Sequence, residues 1–319
     1  MSPIKKILVI RLSSLGDIIL SFPLVNKLRE KFPDAEIHFL TKVEYIEILK
    51  LNPAIDKIIT LKSSLKDSRK EISSNKYDLT LDIHKNFRSI YISSFNGKKV
   101  KRYRKGNFRK FLLVNFKIDL LKDAVPVYRK YLNTIGEYIL REDHNFSVSQ
   151  LNFDRSAKVT GKYIVIAPSS RHFTKTYPKE KFVNFINEFQ KSNNAKFVLV
   201  GDNSERDKSI CKYISEHCND VTDLCGNLSI NELAGVLHNS YKIITNDSAI
   251  LHFSEALGKS VTAVFGSTVK QFGFFPQLID SRVMEVKDLK CRPCTHIGRD
   301  NCPEGHFKCM LENQLIVDN

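Results

Sequence analysis

The segment "RLSSLGDIIL" (residues 11–20) places one acid, Asp17, in a small polar turn with Ser13, Ser14 and Gly16. The turn follows the apolar run 7–10 and precedes a helical pattern. A carboxylate at a strand's carboxyl end can act as general base on an acceptor hydroxyl. It can equally be an N-cap or first-turn acid, favoured by the helix dipole. Gly16 would supply a positive φ or a close backbone approach, and the two serines offer hydroxyls and N–H groups. In "APSSRHFTKTYP" (167–178), Ser169, Ser170, Arg171 and Lys175 lie between an apolar strand and a helix that starts after Pro178. Hydroxyls, cations and a helix N-terminus suit a diphosphate; a solvated loop with two incidental cations is the alternative. "ITNDSAILHFSEALG" sets Asp247 and Ser248 where a strand passes into a helix, with His252 about one turn later. Asp247 can cap that helix or bind sugar hydroxyls. "VFGST" (264–268) ends a neighbouring strand with Gly266 and Thr268.

Two further groups carry other chemistry. "KKVKRYRKGNFRKF" (98–111) holds eight cations, Arg102 and Arg104 among them, and no acid. Followed by aromatic and aliphatic residues, it suits docking on an anionic membrane interface, nucleic acid, or a solvated charged loop. The C-terminal "CRPCTHIGRDNCPEGHFKCM" brings Cys291, Cys294, Cys302 and Cys309 into 19 residues, with His296 and His306 nearby. Four soft ligands suit tetrahedral zinc in a structural role. The spacing is not that of a zinc ribbon, and free buried thiols or disulfides stay open. Cys211, Cys218 and Cys225 are scattered.

Positioning these residues is the work of alternating strand and helix patterns. "IKKILVI", "AEIHFLT", "DKIITL" and "YDLTLDIH" read as strands, separated by helical periodicities such as Leu24, Val25, Leu28 and Phe32. Pro23 sits early in that pattern, so it occupies a first turn or kinks the helix. The segment 146–161 is polar and without clear period, which marks a linker. Alternation restarts with "KYIVIAPSS", "AKFVLVGD", "YKIITND" and "SVTAVFG" as strands. Repeated strand–helix–strand units imply parallel, doubly wound α/β sheets, here two, facing a cleft.

A chain of 319 residues has room for one large or two medium domains. No stretch reaches the about 20 apolar residues of a membrane helix, and the N-terminus reads as a strand rather than a signal peptide. A cytoplasmic location is expected. The formal net charge of +15 points to an anionic partner, or to drift in a chain rich in Lys. A nucleic-acid-binding protein would show steep salt dependence, but no recognised nucleic-acid motif is present, so no such partner is expected.

Taken together, "RLSSLGDIILSFPLVNKLREKFPDAEI", "APSSRHFTKTYP", "TNDSAILHFSEALGKSVTAVFGST" and the Cys-rich tail resemble glycosyltransferase family 9, the ADP-heptose:lipopolysaccharide heptosyltransferases. "LDIHKNFRS" and "PVYRKYL" match more weakly. The resemblance covers nearly the whole chain. It implies a GT-B fold of two Rossmann-like domains, acceptor-binding over 1–155 and nucleotide-sugar-binding over 156–319, with the Cys-rich tail (291–309) in the second. It also implies inverting, metal-independent transfer without a required cofactor, in which Asp17 is the base, Lys175 binds donor phosphate and Asp247 contacts the donor sugar. Ser169, Ser170, Ser248, His252, Gly266 and Thr268, with Glu205 by a loose ribose-binding match, complete the expected donor set. Ser13, Ser14, Gly16, His84, Lys85, Arg88, Arg102 and Arg104 form the expected acceptor set. The expected partners are an ADP-sugar and a lipid A–core saccharide at the inner face of the cytoplasmic membrane, with the enzyme monomeric and peripherally bound there. Where the family has Gln-Gly this chain reads His84-Lys85; where it has "GPTDP" this chain reads "GSTVK"; and Asp123 replaces an acceptor-side His. A GT-B nucleotide-sugar epimerase is the alternative enzyme.

Overall fold

Residues 7–10 form an unbroken apolar run, and all four side chains are fully buried. A strand that is apolar on both faces belongs inside a parallel sheet, and Lys6–Ile10 (β1) takes that place. The computed structural model describes residues 3–94, 98–121, 123–138, 150–156 and 158–316. After β1 come α1 (Leu15–Ile19), α2 (Phe22–Lys31), β2 (Glu36–Thr41), α3 (Ile46–Lys50), β3 (Lys57–Thr60), α4 (Leu65–Ser74), β4 (Leu79–Asp82), α5 (Phe87–Ser93), β5 (Lys99–Arg102), α6 (Asn107–Phe116) and α7 (Val127–Leu132). The first sheet has the order β3-β2-β1-β4-β5, and its strands are parallel. Chain order reverses between β1 and β4. Such a switch point opens a crevice outside the strands' carboxyl ends, where ligands of open α/β sheets bind.

Pro23 lies in the first turn of α2, where its missing N–H costs nothing. The helical pattern is therefore two helices, broken at Leu20–Ser21, with the Ser21 hydroxyl donating to the Ile18 carbonyl (2.6 Å). Of the two roles expected of Gly16, a positive φ or a close backbone approach, the first is not adopted: it lies inside α1, and its carbonyl accepts from the Leu20 N–H at 2.9 Å.

The second half contributes β6 (Tyr163–Ala167), α8 (Lys179–Ser192), β7 (Lys196–Leu199), α9 (Glu205–Glu216), β8 (Val221–Asp223), α10 (Ile230–Asn239), β9 (Lys242–Asn246), α11 (Ala249–Ala256), β10 (Val261–Phe265), β11 (Arg282–Glu285) and α12 (Lys308–Leu311). The sheet order is β11-β10-β9-β6-β7-β8, again parallel, with its switch point between β9 and β6. Its core joins Ile164, Ile166, Phe182, Ile186, Phe197 and Val264 with Met310 of α12. The expected class, α/β with two doubly wound parallel sheets, is the one observed. The edge strands β5 ("KVKR"), β8 ("VTD") and β11 ("RVME") have no counterpart in the apolar pattern. They are three or four residues long and partly exposed, so no hydrophobic run marks them.

Contacts divide the chain into one compact unit of 1–106 with 126–152, and another of 107–125 with 153–319. This differs from a single break after 155 in the placement of 107–125. Lys117 Nζ donates to the carbonyls of Cys291 (3.0 Å) and Pro293 (2.7 Å), and Gln271 Nε2 donates to Asp119 Oδ2 (3.0 Å). Of the expected linker, 146–149 and 157 lie outside the described residues, and the rest is irregular. Among the described residues no helix is long and apolar enough to cross a membrane.

Candidate functional site

At the switch point of the first sheet, Asp17 stands in the first turn of α1 and closes a capping box with Ser14. Its Oδ2 accepts from the Ser14 hydroxyl (2.9 Å) and N–H (3.4 Å). The helix-cap role is therefore present in the structure, but it is not the only one. Arg11 Nη2 lies 2.6 Å from Asp17 Oδ2, and Tyr131 Oη donates to Oδ1 (3.2 Å). Arg11 is buried, its Nη1 donates to the Ile83 carbonyl (2.8 Å), and its guanidinium lies 5.7 Å from the Tyr131 ring centre. Burial works against the Asp17 charge, but Arg11, Ser14 and Tyr131 outweigh it and hold the carboxyl below its usual range. Such a carboxylate contributes stability above its unfolded pKa, about 3.9. That contribution is lost as pH falls through the folded value.

Across the switch point, the turn after β4 brings His84 and Lys85. The fully buried Asp82 shapes it, its Oδ1 accepting from the N–H groups of His84 (3.1 Å) and Lys85 (2.7 Å). Burial first, then Arg11 and Lys105, lower the His84 pKa to about 4, so its ring is neutral near pH 7. The His84 Nδ1 is buried with no partner. Arg102, expected to bind acceptor, is engaged within the fold: its Nε lies 3.5 Å from Asp82 Oδ2, and its Nη2 donates to the Ser93 hydroxyl (2.8 Å). Ser13 is half-buried in the turn before α1, while Arg88 and Arg104 are exposed.

The second sheet's switch point gathers the other candidates. Asn246 ends β9 fully buried. Its Oδ1 accepts from the Tyr177 N–H (2.9 Å), and its Nδ2 donates to the Pro168 carbonyl (2.9 Å), with those of Ala167 and Ser169 at 3.4 Å. It thereby ties the loop after β6 to β9. Asp247 does not cap α11, whose N-cap is Ser248. Its Oδ2 instead lies 2.7 Å from Lys175 Nζ and accepts from the Thr268 hydroxyl (2.6 Å). Ser170 Oγ donates to the Asp247 carbonyl (3.3 Å). The hydroxyls of Ser169 and Ser267 are buried without a partner. Gly266 is required here, because a Cβ would stand 2.9 Å from the Thr174 carbonyl and 2.6 Å from Met310 Cε. Arg206 reaches from α9 to the Arg171 carbonyl and the Thr176 hydroxyl, both at 3.0 Å. His252 is buried with its ring centre 6.0 Å from that of Phe274, and Glu205 is exposed in the first turn of α9.

Arg11, Tyr131, Asn246, Arg206 and Ser267 were not singled out in the sequence. Arg11 closes the first apolar run, and Ser267 lies between Gly266 and Thr268, so both had a local cue. Tyr131 lies in the weakly matching "PVYRKYL", but nothing local pairs it with Asp17, which it meets across 114 positions of chain.

The basic stretch is partly neutralised by acids remote in sequence. Lys98 pairs with Asp78 (3.0 Å), and Lys99 and Lys101 both pair with Glu137. In the tail, Cys291, Cys294, Cys302 and Cys309 are all free. Burial, reinforced by neighbouring thiols, raises the Cys294 pKa and pushes that of Cys309 up to about 12. Cys291 Sγ lies 3.9 Å from His306 Nε2. Among the described residues, no three donors of the tail have ligand atoms all within 4.8 Å of one another.

The model of glycosyltransferase family 9 (heptosyltransferase) matches residues 66–304. The chain is 23% identical over 276 residues to lipopolysaccharide heptosyltransferase 3 of Escherichia coli, covering 79% of this chain and 81% of that one. The structure of E. coli ADP-heptose lps heptosyltransferase II superposes with a TM-score of 0.72 at 20% identity, over 96% of this chain and 98% of that one. The E. coli heptosyltransferase WaaC with ADP gives 0.69 at 15% identity, over 87% and 92%. These likenesses establish the GT-B fold. The family match extends over well more than half of the sequence, from α4 through the whole second sheet, and on that ground the chain belongs to glycosyltransferase family 9, the heptosyltransferases.

Proposed function

We propose that the chain transfers heptose from ADP-heptose to a hydroxyl of a lipopolysaccharide-core saccharide, with inversion at the anomeric carbon. The acceptor oxygen bonds to that carbon as the bond to the diphosphate oxygen breaks. The acceptor proton goes to Asp17, and ADP departs against Lys175, Ser169 and the N–H groups of the loop after β6. The observation that carries this reading is the pair of orphaned hydroxyls, Ser169 and Ser267, at the switch point that also holds Lys175 and Asp247. Buried hydroxyls left unpaired cost free energy that a ligand's oxygens would offset. Lysine has three donors, so it can keep Asp247 and still reach a phosphate. The E. coli relative described with ADP-heptose and the one solved with ADP support the choice of donor.

The purified protein is to be incubated with ADP-heptose, with and without a core acceptor. Transfer that depends on the acceptor supports the reading. An epimerised nucleotide sugar formed without acceptor would establish the alternative enzyme. The Arg11 pair also predicts a pH profile. Because Arg11 holds the Asp17 pKa down, the acid limb of kcat/KM should lie below the usual aspartate range, about 3.9. Arg11→Met leaves burial dominant and should move the limb upward; a limb that stays in place assigns it to another group.

We also propose that the acceptor's lipid is met at an anionic membrane surface. On and after α6, Phe108, Phe111, Phe116, Ile118 and Leu120 are exposed, with Arg109 exposed among them. Apolar side chains flanked by cations suit an interfacial position. The protein should float with anionic vesicles and not with neutral ones, and Phe108→Ser with Phe111→Ser should abolish flotation. Equal flotation of that variant would remove α6 from the reading.

A further inference from the structure

We propose that a zinc ion, or a divalent metal with the same taste for thiolates, binds at Cys211, Asp223 and Cys225. The sequence separates these residues, but the second sheet brings them together. Cys211 lies on α9, Asp223 ends β8, and Cys225 follows in the turn. One ligand atom from each lies within 4.8 Å of the other two. Tetrahedral zinc, with bonds of about 2.3 Å to sulfur and about 2.0–2.2 Å to carboxylate oxygen, spaces its donors by about 3.5–4 Å, so closure asks for about an ångström of movement. The thiols are shielded, while Asp223 is half-buried and leaves a route of entry.

A fourth donor stands close by. A Cβ on Gly201, just past β7, would meet Cys225 Sγ at 2.7 Å and Asp207 Oδ2 at 2.9 Å. The missing side chain leaves those two groups facing one small space. Asp207 Oδ2 accepts the Asp202 N–H (2.9 Å), Asp223 Oδ1 accepts the Cys225 N–H (2.9 Å), and Cys225 Sγ donates to the Asp202 carbonyl (3.4 Å). These bonds orient both carboxylates and one thiol in the way a metal's outer shell does. Among the described residues neither Asp207 nor Asp223 forms an ion pair, so the three-donor group and the neighbouring Asp207 have no paired cation. The cluster also has a structural reason to exist. β8 is a three-residue edge strand, and an ion here would fasten it to α9.

The inference is independent of the proposed transfer reaction, and its test reads metal rather than turnover. The reduced, full-length protein carrying Cys291→Ser, Cys294→Ser, Cys302→Ser and Cys309→Ser is titrated with Co²⁺, whose thiolate charge-transfer band marks sulfur ligation. One cobalt per chain with that band, displaced by Zn²⁺, is expected. Cys225→Ala should abolish the band, and Asp223→Asn should weaken cobalt binding at least tenfold. If the tail substitutions prevent folding, the difference in zinc content between the unsubstituted protein and Cys225→Ala should be one ion. Absence of a thiolate band in the folded protein, a band that survives Cys225→Ala, or equal zinc content overturns the proposal.

Discussion

Asp17→Asn is expected to lower kcat by about 10²–10⁴-fold, the usual contribution of a positioned general base. ADP affinity should be unchanged. The test must separate chemistry from capping, because Asp17 closes a capping box and also neutralises Arg11. Asparagine keeps an oxygen for the Ser14 N–H but leaves the buried guanidinium with no counter-charge, so some loss of stability is expected as well. Arg11→Met in the same chain removes that unpaired charge. If the doubly substituted protein folds and still transfers at the rate of Arg11→Met alone, Asp17 is a cap and not a base. Low turnover by a fully folded protein is the result expected. Tyr131→Phe removes one donor to Oδ1 and should raise the acid limb of the pH profile in the same direction as Arg11→Met.

Lys175→Ala is expected to weaken ADP binding by about 10- to 100-fold, the worth of a hydrogen bond to a charged group. The same change strands the Asp247 carboxylate, which is 5% exposed and keeps only the Thr268 hydroxyl and its surroundings. Breaking a buried pair from one side costs about 3–5 kcal/mol, so Tm should fall markedly. Asp247→Ala added to Lys175→Ala should recover much of that stability without recovering ADP affinity. Calorimetric titration of both proteins with ADP distinguishes the two effects. Unchanged ADP affinity in Lys175→Ala would remove the lysine from the donor site.

Much of this was legible in the sequence, and the reason is physical. The central strands β1 and β6 are continuous apolar runs, and β9 and β10 are largely apolar, because both their faces are covered. Each run ends where polar residues begin, so Asp17, Ser169, Ser170 and Asp247 could be assigned to strand ends by position alone. The tight approach at Gly266 is not local: it is set by the Thr174 carbonyl and Met310, both remote in sequence.

Strand order is not local, and the tertiary structure alone decided it. β1 pairs with β4 some seventy residues on, and β6 with β9 at a similar distance. Those pairings create the switch points that set His84 across from Asp17 and Asn246 beneath the 169–177 loop. The same distance hides charge balance: the cations of 98–102 looked uncompensated until Asp78, Asp82 and Glu137 folded against them. It also hides a second group of cysteine donors. Crowding of soft ligands favoured the tail, whereas among the described residues the compact set of donors is Cys211, Asp223 and Cys225, whose two cysteines appeared scattered. Periodicity records which side of an element faces the core, a property of neighbouring residues. Which elements become neighbours is settled by burial summed over the whole sheet, and no short window of sequence contains that sum.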